Sequence, residues 1–182
     1  MTPDTLLGLA NLTVPRKPDR GPTIYSDPLA SPATAARALS LPRLDTSHLA
    51  ALRELHATVV QLVDGLLSGS SVARPAARLT ELAQPSIATV RLDVGDDQML
   101  RARLEWSEPR PAATLARRVA LELGEIDVAR LKRCARPACN LVFYDTTRSG
   151  TRRWHAESPC GNRERQRRYR AASRASPPTE RR

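Results

Sequence analysis

Cys134-Ala135-Arg136-Pro137-Ala138-Cys139 and, after a 15-residue interval, His155-Ala156-Glu157-Ser158-Pro159-Cys160 decide how the C-terminal part of this chain folds. Each pair of donors encloses four residues, one of them proline. Such a knuckle can aim two side chains at one point. Soft sulfur and nitrogen donors in two close pairs suit tetrahedral zinc rather than hard cations, which prefer oxygen. The competing reading is that the cysteines are core residues, because free cysteine is often buried. Matched spacing in the most charged and least hydrophobic part of the chain argues against it. Cys134, Cys139, His155 and Cys160 are therefore the expected ligands of one Zn2+, with Asp145 and Glu157 as alternatives to His155. Four protein ligands leave no open position, so the site should be structural and not catalytic. Zinc binding of roughly 10–16 kcal/mol would supply the folding energy that so polar a segment cannot gain by burial. The 15 residues between the pairs suit a short β-hairpin.

A basic helix should follow the last ligand. Gly161 can take a backbone shape other residues avoid, and Asn162 is a good N-cap. Residues 163–174 then read as about three turns of helix. Arg163, Arg167, Arg170 and Arg174 share one face, and Arg165 and Arg168 flank it. Arg152 and Arg153, just before His155, extend the same charge. A guanidinium bonds two phosphate oxygens at once, and it also fits the guanine edge in the major groove. Tyr169 is expected to pack against the zinc module. Residues 175–182 read as a disordered tail.

The charge is lopsided. Residues 130–182 hold 15 Lys/Arg and 4 Asp/Glu, a net of +11, whereas residues 1–129 hold 14 and 15, a net of −1. Such asymmetry points to a polyanionic partner. Double-stranded DNA is the first expectation; structured RNA and a protein partner are the alternatives. An anionic membrane fits less well, because the basic helix has no apolar face. Three cysteines, an odd number, argue against a disulfide framework. No apolar run approaches the roughly 18–20 residues of a membrane span, and Met1–Ala10 lacks the features of a signal peptide. A soluble, cytoplasmic, nucleoid-associated protein is expected.

Residues 1–128 read as a mostly helical domain with one hairpin, 1–28 being partly irregular. Leu6–Leu12 suggests a short strand or helical turn, and 16–28 a loop. Ser31-Pro32 opens a short helix over 33–39. Leu49, Leu52, Leu55, Val59, Leu62, Val63 and Leu66 recur at helical spacing and predict a helix over 46–67, ended by Ser68-Gly69. Further helices are expected at 74–83 and 112–125. Residues 87–94 and 99–106 alternate around Gly95-Asp96-Asp97 and predict a β-hairpin. His48 and His56 lie about 12 Å apart on one helix, too far to share a metal. No catalytic constellation stands out, so the chain is not expected to be an enzyme. The fold class is α+β: this domain, then a small zinc-stabilised hairpin and helix over 129–174.

Cys-Gly-Asn-Arg at 160–163, Trp154 ahead of the third ligand, Phe143-Tyr144-Asp145-Thr146 after the second, and the basic tail together resemble the CGNR zinc-finger family. The resemblance covers roughly residues 130–172. It implies a bacterial transcription regulator whose finger grips DNA and whose N-terminal domain, of the ABATE type, senses a signal or forms a homodimer. Leu9–Thr13 and Asp27–Pro32 are similar to the opening of that domain. The family pattern has cysteine at all four ligand positions. His155 departs from it and makes the site one unit less negative.

Overall fold

A computed structural model describes residues 2–14, 27–41, 43–84, 88–94, 99–106 and 110–175. The chain divides into two compact units, the first holding Pro3–Thr13 and the chain up to Ile126, the second holding the chain from Asp127 onward together with Thr2 and Val14. The class is α+β. Among the described residues, no helix is long and apolar enough to cross a membrane.

The first unit holds five helices and one hairpin among its described residues. Of Leu6–Leu12, read as a short strand or a helical turn, residues 6–10 are helical and lie in α1 (Asp4–Ala10). The carboxylate of Glu122 accepts from the backbone N–H groups of Thr5 and Leu6 at 3.0 and 2.7 Å. A side chain distant in sequence thus satisfies donors that the first turn leaves orphaned, which no local pattern could announce. Helix α2 (Pro32–Ala38) opens as expected, with Ser31 as N-cap in a capping box with Thr34. Helix α3 (Thr46–Ser68) is capped by Asp45 and stopped by Gly69, whose φ of 72° suits a residue without Cβ. His48 closes the capping box of α3, and His56 lies 3.4 Å from the Thr13 hydroxyl.

Helices α4 (Ala73–Ala83) and α5 (Pro111–Glu125) pack on each other and on α3, while α1 packs on α3 and α5. Leu6, Leu9, Leu52, Leu55, Val59, Val63 and Val119 form the fully buried centre. Strands β1 (Ala88–Val94) and β2 (Leu100–Trp106) pair antiparallel, with Val94 opposite Leu100 and Arg91 opposite Arg103. The expected turn residues Gly95, Asp96 and Asp97 lie outside the described residues, as do Ile87 and most of 16–28.

In the second unit a 3-10 turn, Val128–Arg130, is capped by the Asp127 carboxylate and leads into β3 (Leu131–Arg133). Strand β4 (Val142–Tyr144) returns antiparallel to β3, pairing Leu131 with Tyr144 and Arg133 with Val142. This corrects one expectation. The hairpin does not fill the interval between the ligand pairs; it encloses the first pair, so that Cys134 and Cys139 sit in its turn. The irregular turn Glu157–Gly161, with Ser158 out of helical geometry, carries the chain into helix α6 (Asn162–Ala175). The tail beyond residue 175 lies outside the described residues.

Candidate metal centre

The hairpin register explains why two cysteines five positions apart face one point. Cys134 follows β3 directly, and its N–H donates to the Leu141 carbonyl at 2.8 Å. Asn140, with a φ of 27°, turns the chain back toward β4. Ala135 N–H donates to the Arg153 carbonyl at 2.8 Å, which ties the knuckle to the segment bearing the second pair. One donor atom from each of Cys134, Cys139, His155 and Cys160 lies within 4.8 Å of the others. Cys139 Sγ and His155 Nδ1 are 3.3 Å apart.

The donor set fits one zinc ion. Cys134 and Cys160 are buried, and Cys139 and His155 are half-buried. Burial and the neighbouring thiols push the Cys139 thiol up to about 12, so without a cation this sulfur keeps its proton. Burial, then the charges of Arg152 and Arg136, hold the His155 imidazole below its usual range and therefore neutral. A neutral imidazole is the form that ligates. Zinc deprotonates coordinating thiols, and the Arg136 guanidinium, 3.8 Å from Cys160 Sγ, faces the negative charge that results. One structural zinc held by four protein ligands is the chemistry this cluster supports.

Neither alternative ligand joins the cluster. Glu157 pairs with Arg165 at the surface. Asp145 is fully buried and acts as the hub of the module. Its carboxylate accepts from Lys132 Nζ at 2.8 Å, the Thr147 hydroxyl at 2.6 Å, Thr147 N–H at 3.0 Å and Arg152 N–H at 2.8 Å. These donors, Lys132 foremost, hold the carboxyl well below the usual range. Through them Asp145 ties β3, the loop after β4 and the approach to His155 into one frame. Sequence reading missed this role, although the Asp145-x-Thr147 spacing is a turn signal in itself.

The arginines fall into groups. Arg152 faces inward: its Nε donates to the Trp154 carbonyl at 2.9 Å, its Nη2 to the His155 carbonyl, and its guanidinium lies 5.4 Å from the Phe143 ring centre. It braces the backbone of a ligand. Arg153 is exposed and stacks 5.6 Å from the Trp154 ring centre. Arg165 binds Glu157 and, at 2.6 Å, the Asn162 side-chain oxygen. Arg167 grips the Glu164 carboxylate through Nε and Nη2 at 3.0 and 2.7 Å, and Arg168 reaches it at 3.4 Å. Glu164, only 5% exposed, is a second residue that sequence reading passed over. Its place three and four residues before two arginines on a helix was the available signal. Arg163 is half-buried and Arg170 exposed; the side chain of Arg174 lies outside the described residues.

Three expectations around α6 need correction. Gly161 does not adopt a positive φ. What it offers is room, since a Cβ there would meet the Glu157 carboxylate at 2.7 Å. Asn162 is not a side-chain cap. It is already helical, at φ −61° and ψ −46°, and its oxygen binds a guanidinium instead of the backbone. Tyr169 does not pack on the module, for it is 76% exposed.

Residues 130–173 match the family model of the CGNR zinc finger. The match spans both ligand pairs and nearly all of α6, and a zinc-finger module is therefore present in this chain. It does not extend over the helical unit. No curated protein matches the chain.

Proposed function

We propose that the finger binds double-stranded DNA through α6, and that the chain is a cytoplasmic, nucleoid-associated regulator of transcription with no catalytic activity of its own. The observation that carries this reading is the anchoring of α6. The helix begins two residues after Cys160, so the metal that clamps Cys160 also fixes the start of a helix bearing Arg163, Arg165, Arg167, Arg168, Arg170 and Arg174. A free helix of this length would be marginal in water. Anchored, it offers a preformed cationic surface to phosphate, and the exposed Arg153 adds to the charge of the same unit.

The charge asymmetry supports the same reading, since the electrostatic footprint is confined to one unit. The full donor set supports the absence of catalysis, because no coordination position remains for substrate or water. RNA and protein partners are separated from DNA by filter binding of the zinc-loaded chain to duplex DNA and structured RNA across salt concentrations. Duplex DNA should bind with a log–log salt slope of roughly −5 to −7, for six to eight phosphate contacts. Binding no tighter than a scrambled peptide of the same charge would overturn the nucleic-acid reading.

A further inference from the structure

We propose that the stripe Gln166, Tyr169 and Arg170 reads base edges in the major groove, while Arg165, Arg167 and Arg168 contact phosphates. This rests on the reading of α6 as a DNA-binding helix, and it assigns sequence discrimination to residues chosen for position rather than charge.

Glu164, 5% exposed, marks the covered side of α6. At 100° per residue, Gln166, Tyr169 and Arg170 stand about 120–160° around the helix from Glu164, whereas Arg165, Arg167 and Arg168 stand within about 100° of it. The stripe is therefore the outward face. All three of its residues are exposed, Tyr169 by 76%. Their side chains make no hydrogen bond or ion pair with another described residue.

The flanking arginines differ in state. Arg167 uses its Nε and Nη2 on Glu164, which occupies one bidentate edge of the guanidinium. Arg165 is divided between Glu157 and Asn162. A guanidinium has five N–H donors, so each keeps some for a phosphate oxygen. Held by carboxylates, they form fixed shoulders on either side of the stripe.

Gln166 and Arg170 carry the groups that base recognition uses. A glutamine amide fits adenine N6 and N7, and an arginine fork fits guanine O6 and N7. The two residues lie one helical turn apart, about 5–6 Å between Cβ atoms, so they address neighbouring or next-neighbouring base pairs. Tyr169, on the other side of Gln166 from Arg170, offers a ring face to a thymine methyl and a hydroxyl to the backbone.

The test uses the full zinc-loaded chain and a random-sequence duplex DNA library, with repeated recovery of bound duplexes and sequencing. Wild type should enrich a short motif. Gln166→Ala and Arg170→Ala should each lose the preference at one position, with discrimination there falling roughly tenfold to a hundredfold. Arg170→Lys should behave like Arg170→Ala, because a lysine keeps the charge and loses the fork. Arg167→Ala should keep the motif, weaken all duplexes alike and make the salt slope shallower by about 1. Zinc content of each variant checks that the module is folded. If wild type binds duplex DNA but enriches no motif, or the Gln166 and Arg170 variants keep the full motif, the proposal is overturned and the DNA-binding reading stands. If wild type binds no duplex at all, the underlying reading falls and takes this one with it.

Discussion

Asp145 has no exposed surface, yet it holds a full charge. Its depressed carboxyl means that the folded module is favoured above the ordinary carboxylate pKa of about 3.9 and loses that contribution as pH falls through the lower folded value. Asp145→Asn keeps the shape but removes the charge facing Lys132. We expect it to weaken zinc affinity by about 10–100-fold, as the loss of an outer-shell support does elsewhere. Competition with a chromophoric chelator measures this, and an unchanged affinity would remove Asp145 from the frame. His155→Ala deletes a ligand and should cost more than Asp145→Asn in the same assay. In the wild type, the environment of His155 keeps the imidazole neutral, so protons should compete for it only below about pH 6.5. Zinc release should therefore set in as pH falls and not as it rises. At this scale the ligands were legible because their spacing is local. Asp145 was not, because its partners Lys132 and Arg152 lie 13 and 7 residues away.

Helices with a one-sided apolar face could be read directly. The stripe from Leu49 to Leu66 placed α3 almost to the residue, because periodicity, an N-terminal cap and a terminal glycine all agreed. Alternation likewise predicted the strands β1 and β2. Helix α1 was ambiguous because it has only seven residues and its N-terminal donors are satisfied by Glu122 from α5, an arrangement visible only after folding. Within α3, Leu52 and Leu55 are fully buried, and Leu52→Ala should cost about 2–5 kcal/mol in urea unfolding. A cost under about 1 kcal/mol would mean that the site collapses around the cavity or is not core. In α6 the element-level question is what holds the first turns. Glu164, buried and bound to Arg167 and Arg168, should matter; Glu54, 45% exposed and paired with Arg78, should not. Glu164→Ala is expected to lower the melting temperature of the finger, while Glu54→Ala leaves the helical unit within experimental error, as exposed pairs usually do. Equal effects would show that burial of Glu164 carries no special weight.

At the scale of the whole chain, two different sources of stability sit side by side. The first unit has a leucine- and valine-rich centre drawn from α1, α3 and α5. Among its described residues the second unit buries few apolar side chains: Leu131, Val142 and Phe143, besides Cys134 and Cys160. Residues 130–182 within it carry a net charge of +11, which opposes compaction. Hydrophobic burial can maintain the first unit by itself, whereas the second should depend on metal. Adding a strong chelator is therefore expected to unfold the finger alone. Far-UV circular dichroism should lose the helical signal of α6 and keep that of α1 to α5. The melting transition of the first unit should stay where it was, and duplex DNA binding should disappear. Restoring Zn2+ should return both the α6 signal and the binding, whereas Mg2+ should return neither, because three sulfurs and an imidazole do not suit a hard cation. Retention of the α6 signal after full removal of zinc, verified by metal analysis, would show that the ion pairs of Glu164 and Glu157 suffice to hold the helix. The zinc would then be a secondary brace rather than the clamp on which the arginine surface depends.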